Sequence, residues 1–181
     1  MNGNRDDNAN MSGNTTTVVT GTSNEPTNDD NTPMDDAEFV SWAMTNNEIE
    51  LDLIRLAKTM ATDSEVKELA MELEIAHGSG GQKLADYAEM KNINVDDDDA
   101  DNANQEIEDN IESLRNQAVG AEWDQKRLDL MINMHEDAIA KYKDGGDEAD
   151  DQALKDMIST MIPELQSHLD ELRTIEDRLD G

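Results

Sequence analysis

Three histidines, His77, His135 and His168, are the only imidazoles in a chain that has no cysteine. Each falls in an apolar row at three-four spacing. The rows are Leu69, Leu73, His77, Gly80, Leu84; then Leu128, Met131, His135, Ala138; then Met161, Leu165, His168, Leu172. That spacing places a side chain on the buried stripe of a helix. A fourth row, Phe39, Ala43, Asn46, Glu50, Leu53 and Ala57, turns Glu50 inward in the same way. Burying imidazoles and an ionised carboxylate without partners is costly, so they should bond to one another or bind something. Imidazole nitrogen with carboxylate oxygen suits a divalent ion such as zinc, iron, manganese or copper. Glu50 would supply an anionic oxygen and the three rings their nitrogens. Glu74, three residues before His77, and Glu164, four before His168, share helical faces with those rings and are candidate extra ligands or orienting groups. The plainer alternative puts the rings at the helix ends, partly solvated and paired with the abundant acids.

Other constellations carry less. Asp97, Asp99, Asp101, Asn102 and Glu108 repeat the oxygen-ligand spacing of a calcium loop. No helix obviously ends before Asp97, and Asn104 stands where such loops carry an apolar residue, so the stretch reads as an acidic connector. Most of the eleven methionines, Met131, Met134, Met157 and Met161 among them, sit at core spacing, where a thioether is packing rather than a copper ligand. Ser79, Ser113 and Ser167 belong to no nucleophile motif, and no glycine-rich phosphate loop follows a strand.

The elements that must carry these residues are helical throughout. No stretch alternates apolar and polar residues as a strand would. Periodicity and capping residues predict a helix from Asp35-Asp36 to about Met60, and a second over about Glu65 to Met90. Gly78, Gly80 and Gly81 mark a kink or close helix contact in the second. An acidic connector from Asn92 to Asn104 leads to a short helix through Ile107, Ile111, Leu114 and Ala118. A third long helix spans about Ala121 to Lys143, and Asp144 to Asp150, with Gly145-Gly146, reads as a turn. The last helix runs from about Asp151 to Leu179, with Pro163 expected to bend it. Four long amphipathic helices in this order predict an all-α four-helix bundle with a short extra helix in its central connection.

Residues 1–34, rich in Asn, Thr, Gly, Ser and Asp, are too poor in apolar side chains to order and read as a disordered tether ahead of a bundle over 35–181. They hold five acids and one base, a charge of −4, so −26 of the formal −30 belongs to residues 35–181. Such acidity disfavours nucleic acid, which needs clustered Lys and Arg. It points to metal cations or basic surfaces as partners, and suits a high-salt habitat. No apolar window spans a membrane, and no signal segment is visible. A polar run at the start also suits a mature secreted protein or a lipoprotein released from its anchor.

Several segments together are similar to one bacterial family. They are Phe39-Val40 through Glu48 to Ala57, Ser64 to Ala70 on to His77, Gly120 to Asp124, Met131 to Glu136, and Met161 to Leu169. Over about residues 36 to 179 the chain resembles a ferritin-like family catalogued as a domain of unknown function, whose members often carry outer-membrane-protein labels. The resemblance implies a ferritin-like bundle exported to the periplasm or cell envelope, without an established enzymatic activity. It maps the family's recurrent inner positions to Glu50, His77, His135 and His168. Ala76 stands where the family usually has an acid. The two Glu-x-x-His pairs of true ferroxidases are absent, so a mononuclear site is expected before a di-metal oxidase. An acidic interaction protein with incidental histidines is the rival expectation.

Overall fold

The structure, a computed structural model, describes residues 34–95 and 101–181. The expected tether lies outside them except for Met34, as do Asp97 and Asp99. Five helices are present, and no strand occurs among the described residues. They are α1 (Asp36–Met60), α2 (Ser64–Lys91), α3 (Asp101–Asn116), α4 (Ala121–Glu148) and α5 (Gln152–Asp180). Acidic side chains start three of the long ones. Asp35, Asp63 and Asp151 each accept two backbone N–H bonds at an N-terminus, satisfying donors that the first turn leaves free.

The packing order follows from residue pairs. Asn47 meets His77 and Lys58 meets Glu74, so α1 and α2 run antiparallel. Glu136 pairs with Arg173 and Gln125 with Asp180, which does the same for α4 and α5. Asp124 bonds Thr62, just past the end of α1, while Tyr142 packs on Phe39 near its start, so α4 is antiparallel to α1. Lys91 to Asp151 and Asp63 to Arg178 set α5 antiparallel to α2. Because α2 ends where α4 does, the connection between them returns along the whole length. It carries α3, whose Arg115 reaches Asp52 of α1.

Two boundaries differ from the sequence expectation. The α4 helix runs past Lys143 through Gly145-Gly146 to Glu148, where a turn was expected. A Cβ on Gly145 would lie 2.4 Å from the Phe39 ring, and one on Gly146 3.0 Å from Ile158. These glycines permit close packing inside a helix, and that contact outweighs their weak propensity. The α3 helix begins at Asp101, inside the expected connector, so Asp101 and the exposed Glu108 both lie on a helix rather than around a calcium loop. At Gly81 the expected close contact is present: a Cβ there would stand 2.7 Å from Asn47 Nδ2.

The core has two parts. One gathers Leu53, Leu69, Leu73, Leu128, Met131 and Leu172. The other gathers Phe39, Ala43, Leu84, Tyr142, Leu154 and Ile158. In sequence, Glu50, His77, His135 and His168 each fall between residues of the first part and residues of the second. A polar layer therefore lies between two apolar masses.

Candidate metal centre

Each long helix contributes one side chain to that layer, as its row demands. The ring centroids of His77 and His135 are 5.4 Å apart, those of His77 and His168 5.4 Å, and those of His135 and His168 5.7 Å. One ligating nitrogen from each ring lies within 4.8 Å of the others. The plainer alternative, rings separated at the helix ends, is excluded. His77 and His135 are buried and His168 is partly buried.

Hydrogen bonding decides what each ring offers. His135 Nδ1 donates to the Met131 carbonyl at 3.0 Å, which leaves Nε2 as a lone pair. His77 Nδ1 lies 3.2 Å from Asn47 Oδ1 and 3.1 Å from Glu50 Oε2, so its Nε2 is likewise left. His77 Nε2, His135 Nε2 and His168 Nδ1 are all buried without a protein partner. His77 and His135, each held through Nδ1 with Nε2 free, have the arrangement of a metal-ligating histidine and its orienting acceptor.

The electrostatics agree with neutral rings. Burial, with the charges His135 and His168 would carry, lowers the His77 pKa to about 3. Burial lowers His135 to about 4, against the Met131 bond, and the Arg127 charge lowers it further. Burial and His135 bring His168 to about 4, although Glu171 and Glu164 pull it upward. Neutral imidazole is the form that binds a metal. Burial raises Glu50 to about 8 even though Asn46 Nδ2 donates to it at 3.1 Å. Tyr142, beside Glu50, is held in its protonated form by burial and by that carboxylate.

The expected site residues divide into three groups. His77, His135 and His168 are brought together. Glu50 reaches the layer, its Oε2 3.1 Å from His77 Nδ1, but the group of ligand atoms converging within 4.8 Å comprises the three histidines and not Glu50. Glu74 is not in the site: it points outward to Lys58 and Arg55, whose charges lower its pKa. Glu164 is half exposed, pairs with Lys83 at 3.6 Å, and rims a cavity of about 30 Å³ beside His77 and His168. Asn47, Tyr142 and Arg127 had been assigned no part in the site. Asn47 is one residue off the α1 row and left no periodic signal. Arg127 lies eight residues before His135 on the same seam, and that spacing could have found it.

The profile of a family described as a domain of unknown function (DUF4142) matches residues 21–175. The chain belongs to that family. The match takes in α1, α2, α3, α4 and most of α5, so Glu50, His77, His135 and His168 all lie inside the matched region. No curated protein and no solved structure matches the chain. Among the described residues, no helix is long and apolar enough to cross a membrane.

Proposed function

We propose that the chain is a ferritin-like, non-enzymatic helical bundle of the cell envelope that binds one divalent transition metal through His77, His135 and His168. Zinc, iron and manganese all accept imidazole nitrogen. Three histidines on three different helices carry the reading: each has a buried ring nitrogen without a partner, and each brings one ring nitrogen within 4.8 Å of the others. Leaving them unmade costs free energy that an ion would recover. A metal–nitrogen bond of about 2.0–2.1 Å puts tetrahedral ligands roughly 3.4 Å apart. The rings must draw in by about 1 Å, a small side-chain adjustment. The ferritin-like assignment is supported by antiparallel neighbours and a single long crossover between α2 and α4. The envelope location rests on the family resemblance alone.

Elemental analysis of purified protein, followed by melts with and without chelator, tests this. The reading expects about one metal per chain and a melting temperature that chelator lowers, because a ligand bound only by the folded state stabilises it. His135→Ala should abolish both. Metal-free protein with a chelator-insensitive melt that climbs steeply with salt would instead support an acidic interaction protein whose histidines are incidental.

A further inference from the structure

The three rings do not enclose the space between them evenly. His77 and His168 border the cavity of about 30 Å³ and His135 does not, so the cluster is open on the cavity side. Asn46, Glu50, Tyr142, Gly80 and Met161 supply further wall, and Glu164 with Lys83 stands at the rim. His77 Nε2, on a ring only 5% exposed, has no protein partner there. The space admits a few water-sized groups. Pockets for organic ligands are about ten times larger or more.

Charge narrows the occupant. Neutral rings leave both charges of a divalent ion uncompensated. Arg127 is fully buried, none of its three nitrogens has a partner, and its charge reaches His135. Among the described residues the fully buried acids are Glu50 and Asp124. Even with both ionised, an ion plus Arg127 leaves the interior positive. Building on the metal reading above, we propose that this cavity binds a small inorganic anion, roughly water-sized to azide-sized, at the face of the ion that the three rings leave open.

The test uses full-length protein loaded with cobalt(II), titrated with azide and followed by visible absorption. A saturating spectral change is expected. Gly80 lines the cavity, and a Cβ there would sit 3.3 Å from Met161 Cε, so side chains at this position fill the space. Gly80→Val should weaken azide about tenfold or more while cobalt stoichiometry stays the same, and Gly80→Ala should do so to a lesser degree. If the valine variant does not fold, the alanine variant decides. Cobalt uptake with no azide response, or azide binding that neither substitution weakens, overturns this inference alone. No cobalt uptake by the unaltered chain overturns the metal reading and this inference together.

Discussion

Asp124 and Glu50 are both 1% exposed, lie in the same helical interior, and are treated in opposite ways. Asp124 accepts from Thr62 N, Thr62 Oγ1 and Asp63 N at 2.5 to 3.1 Å, tying the start of α4 to the corner between α1 and α2. Its lone pairs are spent on fixed backbone. Glu50 has one side-chain donor, Asn46, and the ring nitrogen of His77, and burial lifts its pKa to about 8. A carboxyl given so few donors stabilises the fold poorly, and its position beside an inward-facing ring gives it another use. The contrast separates a buried acid that holds helices together from one that, under the proposed metal reading, holds a ligand in place.

Four substitutions or conditions probe that contrast. Asp124→Ala should have the largest effect. It strands three donors and removes a negative charge that acts on buried Arg127, for a loss of roughly 3 kcal/mol in a denaturant melt of metal-free protein. Metal affinity of the folded fraction should not change. Glu50→Gln should do the reverse. Glutamine copies the neutral acid, so the metal-free melt stays within about 0.5 kcal/mol, while metal affinity measured by competition falls about 10- to 100-fold.

The third is pH. His77 and His135 have folded pKa values of about 3 and 4 against 6.5 when free. The unfolded chain therefore binds more protons between those limits. The stability from neutral rings is complete above about pH 6.5 and is lost as pH falls towards 4. Each ring contributes about 1.4 kcal/mol per pH unit there. Glu50, raised to about 8 from 4.5, works the other way, since its contribution is lost as pH rises through 8. Metal-free His135→Leu should thus lose stability less steeply on acidification, by about 1.4 kcal/mol per pH unit. A slope equal to that of the parent would deny that the ring is buried and neutral. Glu74→Gln should matter least: its partners Lys58 and Arg55 are exposed, and affinity and stability should both stay within about 0.5 kcal/mol.

Much of this was legible in the residues. Rows at three-four spacing located the four long helices and put His77, His135, His168 and Glu50 inside, because helical periodicity reports facing directly. What periodicity does not report is which atom of a side chain faces which neighbour. Periodicity places Glu50 in the layer but does not report that its Oε2 lies 3.1 Å from His77 Nδ1. Glu74 shares a helical face with His77 only approximately, since three residues leave it about 60° round the helix, where α1 presents Lys58 and Arg55. Gly145-Gly146 looked like a turn because the sequence does not show that Phe39 needs that space. Asn47 and the partnerless nitrogens of Arg127 became visible only when other helices were packed against them.

The central claim is that one ion is shared by three imidazoles. Crystals of the zinc-loaded protein, with diffraction recorded at the zinc absorption edge, test it most directly. The account predicts a single anomalous peak about 2.0–2.1 Å from one nitrogen of each of His77, His135 and His168. Peaks confined to surface carboxylates, with the space between the three rings empty, would contradict it.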